Sequence, residues 1–83
     1  MVRKKRPHEY IYRGETAWKV WVLIARRVDS LGYPPTYREI CAHFGWKSVR
    51  SAHYYVSKLD QAGVLRRWPN RARCVTLIKR PEM

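Results

Sequence analysis

Apolar and polar positions along the chain alternate with a helical period in three stretches and with a strand-like period near the end. Ala17, Val20, Trp21, Ile24, Val28 and Leu31 recur at intervals of three and four, which predicts a long helix beginning at about Glu15 or Thr16 and stopped by Gly32. Those six positions form its expected core face. Trp18, Val22 and Ala25 make a second apolar strip on a different face, more than a small three-helix domain needs to bury. It needs a cover, either from Tyr10, Ile11 and Tyr12 or from a second subunit.

The next helical stretch has a sharply written start. Pro34-Pro35 disfavour helix in the residues before them, and Thr36-Tyr37-Arg38-Glu39 spells a capping box in which Thr36 and Glu39 satisfy each other's backbone amides. Ile40 and Phe44 then share a face, with Tyr37 one turn earlier and the small Cys41 beside them. Gly45 supplies the left-handed conformation that a tight turn through Phe44-Gly45-Trp46-Lys47 demands. Ser48 caps a third helix, with Val49, Ala52, Val56 and Leu59 as its inward positions, running to Ala62 before Gly63. Two short helices joined by such a turn predict a helix-turn-helix with residues 48–62 as the recognition helix.

Beyond Gly63, Val64-Leu65-Arg66-Arg67-Trp68 and Cys74-Val75-Thr76-Leu77-Ile78-Lys79 are rich in strand formers and are separated by Pro69-Asn70-Arg71-Ala72-Arg73. A basic hairpin after a helix-turn-helix makes the expected fold mainly α with a small β-hairpin, a winged helix-turn-helix of three helices plus wing. The expected layout is a basic arm at 1–13, the domain at 14–80 and a tail at 81–83. Within the arm, Met1 to Pro7 shows no periodicity and either follows a DNA groove or backbone or is a solvated tail. His8 to Arg13 reads as a small strand or an extended segment packed on the body.

Charge turns this architecture towards a partner. Eighteen Lys and Arg stand against six Asp and Glu, a formal charge of +12 on 83 residues, so a polyanion is the natural ligand. The outward positions of the third helix, Arg50, Ser51, His53, Tyr54, Ser57 and Lys58, include no carboxylate, which appears only at Asp60. A merely solvated face is usually rich in Glu and Lys; this one suits phosphates and base edges. Ser48, Arg50, Ser51, His53 and Tyr54 are therefore the candidate base readers. Lys47, Ser57, Lys58, Arg66, Arg67, Arg71 and Arg73, with Arg3, Lys4, Lys5 and Arg6 of the arm, are the candidate phosphate contacts.

Other chemistries find little support. Two cysteines, Cys41 and Cys74, make no disulfide framework and fit a reducing cytoplasm. Val20 to Ala25 is far too short to span a membrane, and the charged N-terminus is followed by no apolar leader segment. Cys41, His43, His53 and Cys74 match no zinc-ligand spacing, and neither a phosphate loop nor a nucleophile elbow occurs. No enzyme, metal or cofactor is expected.

From Val20 onward the chain resembles the DNA-binding domain of the LexA repressor family, a winged helix-turn-helix. The resemblance rests on an apolar first helix, Gly32-Tyr33-Pro34-Pro35-Thr36, Glu39-Ile40, the turn Gly45-Trp46-Lys47-Ser48, Ala52, and Gly63-Val64 before the wing. It implies that the second helix of the motif reads operator bases through the positions of Ser48, Arg50, Ser51, His53 and Tyr54. Only Ser48 is the family's usual residue. Arg50 replaces an amide side chain, and His53 and Tyr54 replace two acidic ones, so the family's operator does not carry over. His53 and Tyr54 are left to contact bases or phosphate alone. The family's self-cleaving and dimerising domain has no counterpart in these residues, so autoproteolysis is not implied. Any homodimer would have to form through the Trp18/Val22 face or the N-terminal segment.

The leading expectation is a sequence-specific double-stranded DNA-binding protein, a small cytoplasmic, nucleoid-associated transcriptional regulator or repressor. Two rivals stand beside it: a non-specific nucleic-acid-binding accessory protein, and a protein-interaction module that uses its aromatic surface, including Trp18, Val22, Trp46 and Trp68, to inhibit or recruit a host protein.

Overall fold

The computed structural model describes residues 11, 14–68 and 75–81. In chain order these form α1 (Thr16–Leu31), α2 (Tyr37–Phe44), α3 (Val49–Gln61), β1 (Leu65–Arg67) and β2 (Val75–Leu77). The strands pair antiparallel with Leu65 opposite Leu77, Arg66 opposite Thr76 and Arg67 opposite Val75. This is the expected winged helix-turn-helix, three helices and a wing.

Local chemistry accounts for the boundaries. The Thr36 hydroxyl accepts from the Glu39 amide at 3.1 Å while the Glu39 carboxylate accepts from the Thr36 amide at 2.8 Å, the capping box in full. Gly45 ends α2 at φ 72°, ψ 25°, where a side chain would be strained, and its amide returns to the Cys41 carbonyl. The Ser48 hydroxyl accepts from the Arg50 amide at 3.1 Å and opens α3.

Both α1 and α2 pack on α3, β1 packs on α3, and β2 on α1. Val20 and Ile24 of α1, Ile40 of α2, Ala52, Val56 and Leu59 of α3, and Val64 and Leu65 at the start of the wing have no exposed surface. Trp21 is also buried, and its indole Nε1 donates to the Lys79 carbonyl at 2.7 Å, fastening the segment after β2 to α1. The Val64 carbonyl accepts from the amides of Ile78 and Lys79, which closes the base of the hairpin. Arg80 pairs with Asp29 of α1 on the surface.

Two expected core positions are corrected. Val49 keeps the helical spacing of Ala52, Val56 and Leu59 but is 43% exposed, because the first turn of α3 lies beside an open groove shared with Arg38, Cys41 and Trp46. Leu31 is 50% exposed at the end of α1, just before the chain turns at Gly32. On the second strip of α1, Ala25 and Val22 are buried and Trp18 is half-buried. Ile11, one of its expected covers, is buried with the core; Tyr10 and Tyr12 lie outside the described residues.

Candidate nucleic-acid interface

The structure sets one face of α3 outward beside the wing. Arg50, His53 and Tyr54 are exposed and Ser51 is half-exposed, while Ala52, Val56 and Leu59 of the same helix are buried. Three- and four-residue spacing therefore sorts this helix into a core side and a side free for a ligand. From Val49 to Lys58 that free side carries no negative charge.

Each candidate reader has a distinct setting. Arg50 makes no side-chain hydrogen bond or ion pair among the described residues, so its five N–H donors remain available. Ser48 is exposed; its oxygen is occupied as the helix cap, which leaves the hydroxyl proton to donate outward. Its carbonyl accepts from the Cys41 thiol at 3.4 Å and from the Ser51 amide at 3.3 Å, so the turn is tied to both helices. The His53 ring stacks on Tyr37 of α2 with centroids 3.9 Å apart and planes at 30°. Tyr54 is 63% exposed and meets Tyr55 edge-on at 4.9 Å.

Behind this face runs a succession of rings. Tyr55 stacks on Trp46 at 5.3 Å, Trp46 on Phe44 at 4.6 Å, and Phe44 meets His43 edge-on at 4.9 Å. Offset and edge-to-face aromatic pairs add about 0.5 to 1.5 kcal/mol each beyond area burial. The ladder spans the turn and holds the middle of α3, at Tyr55, against the end of α2. Sequence pattern gives Tyr55 and Arg38 no role at this interface and puts Tyr37 on the inward face of α2, where it is partly buried against the core. Arg38 is exposed and lines one open groove with Lys47 and Ser48, at the start of α3.

The candidate phosphate contacts divide. Lys47 and Arg66 are exposed, and the Arg66 guanidinium lies 5.5 Å from the centre of the Trp68 ring, a cation–π contact. Arg67 points the other way: strand alternation puts it on the face of buried Leu65, where Nη1 donates to the Ser57 hydroxyl at 2.7 Å. Lys58 Nζ lies 3.6 Å from Glu15 Oε1 at the start of α1. Ser57, Lys58 and Arg67 thus already hold partners inside the fold. On the outer side of the hairpin the Trp68 indole donates to the Thr76 hydroxyl at 2.9 Å. Arg71, Arg73, Arg3, Lys4, Lys5 and Arg6 lie outside the described residues.

The family described as LexA DNA binding domain matches residues 16–74, from the first turn of α1 into the wing. The chain belongs to that family. Among similar proteins, the LexA repressor of Stenotrophomonas maltophilia (strain R551-3) is 42% identical over 83% of this chain and 33% of its own length. LexA repressor 2 of Xanthomonas oryzae pv. oryzae is 44% identical over 76% of the chain and 30% of its own. The LexA repressor of Clostridium acetobutylicum is 40% identical over 76% of the chain and 31% of its own. This LexA-type domain therefore spans about a third of the length of the curated relatives it matches. Among its described residues, no His, Cys, Asp and Glu groups are assembled as a metal site and no helix is long and apolar enough to cross a membrane.

Proposed function

We propose that the protein is a sequence-specific double-stranded DNA-binding transcriptional repressor that lays α3 in the major groove and the wing on the adjoining backbone, working on DNA in the cytoplasm. The observation that carries this reading is the exposed, carboxylate-free face of α3 with Arg50 unengaged at its first turn. A major groove admits an α-helix, and an arginine there pairs with a guanine through two hydrogen bonds.

In this reading Ser48, Arg50, Ser51, His53 and Tyr54 read bases. Lys47 and Arg66 hold phosphates, and Arg38 joins them because it shares an open groove with Lys47 at the start of α3. Ser57 and Arg67 support the interface from within by joining wing to helix. A regulator of this kind needs no catalytic group, and its affinity falls as salt rises because phosphate contacts release counterions.

Selection of bound duplexes from a random pool tests the proposal. Enrichment of a defined motif supports it; recovery of the pool without sequence bias refutes base reading and leaves a protein that coats DNA by charge.

A further inference from the structure

We propose that the cleft between α1 and the end of α2 is a docking site for an acidic, amphipathic segment of a partner protein. Both helices pack on α3, and between them lies an open hollow of about 280 Å³. Its floor is apolar, formed by Trp18, Val22, Leu23 and Phe44; Lys19, Arg26 and His43 stand around it. Among the described residues no carboxylate lines it. The acidic residues nearest in sequence, Glu15 just before α1 and Asp29 within it, are already paired with Lys58 and Arg80, and Lys19 and Arg26 have no ion pair among the described residues.

Charge chooses the occupant. A second copy of the chain would bring another +12 against a basic rim, whereas a helix with apolar residues one turn apart and Asp or Glu beside them satisfies floor and rim together. None of the lining residues is a candidate base reader, so the cleft can be filled while α3 lies on DNA. The inference does not depend on α3 reading sequence.

The test is nuclear magnetic resonance on the labelled full chain, with a synthetic helical peptide carrying Leu and Trp at i and i+4 flanked by Glu, and a second peptide with Lys in place of Glu. The acidic peptide is expected to produce saturable shifts at the Trp18 indole and the Phe44 ring, with or without bound duplex DNA. Combining Lys19→Glu with Arg26→Glu is expected to weaken it tenfold or more; both side chains are exposed, so an unchanged core spectrum verifies folding. Any of four results overturns the proposal: shifts centred on α3 and lost on adding DNA, equal binding of the Lys peptide, concentration-dependent shifts at Trp18 without peptide that reveal a second copy there, or contacts from residues 1–13 that fill the cleft in the free protein.

Discussion

The bond between Arg67 and Ser57 offers a sharp test of how the wing is held to the reading helix. Sequence alone places both residues among phosphate contacts, yet Nη1 lies 2.7 Å from the Ser57 hydroxyl in a partly buried setting. A hydrogen bond with one charged partner contributes about 1.5 to 3 kcal/mol, and partial exposure puts this one at the lower end, near 1.5 kcal/mol. Ser57→Ala and Arg67→Met should each lose about that much, the Met keeping the aliphatic packing, and the double variant should lose little more. In a domain of this size 1 kcal/mol moves Tm by about 4 to 8 °C, so each single variant should melt about 6 to 12 °C lower. Urea unfolding of the four proteins measures the coupling energy directly. Additive losses, with no coupling, would refute the strut. So would an Arg67→Met protein of unchanged stability whose log–log salt slope for DNA binding falls by about one, the mark of a lost phosphate contact.

Other expected outcomes follow from the same geometry. Leu59→Ala, at a site with no exposed surface, should cost about 2 to 5 kcal/mol in urea unfolding, a large part of a small domain's stability. Gly45→Ala meets no atom within 4 Å, so its cost of about 1 to 2 kcal/mol should come from the left-handed backbone alone, seen as a lower unfolding midpoint with native spectra. Arg66→Ala should weaken cognate and random duplex alike and lower the salt slope by about one in a titration across salt concentrations.

What was legible in the sequence was local. The capping box of Thr36 and Glu39, the stop at Gly45 and the cap at Ser48 involve residues within four positions of one another, and all three stand as read. The core faces followed from period for as long as a neighbouring element covered them. Periodicity reports direction, not cover, which is why Val49 and Leu31, at opposite helix ends, keep the spacing yet stay exposed. The candidate interface was legible as a helix face but not as a set of partners. Tyr37 under His53, Trp46 against Tyr55, and Arg67 on Ser57 join residues up to sixteen positions apart, across the turn between α2 and α3 or the connection from α3 to β1. The alternation in Leu65-Arg66-Arg67 did hold a clue: Arg67 shares the face of buried Leu65, and Arg66 lies on the opposite one.

The central claim is that the outer face of α3 reads bases, and repeating the random-duplex selection with Arg50→Ala tests it most directly. A bidentate arginine–guanine pair discriminates by about 1 to 3 kcal/mol, so the variant should recover the wild-type motif with preference lost at one base pair of each bound site and kept at the others. An unchanged motif, or a uniform weakening with every position equally preserved, would contradict it.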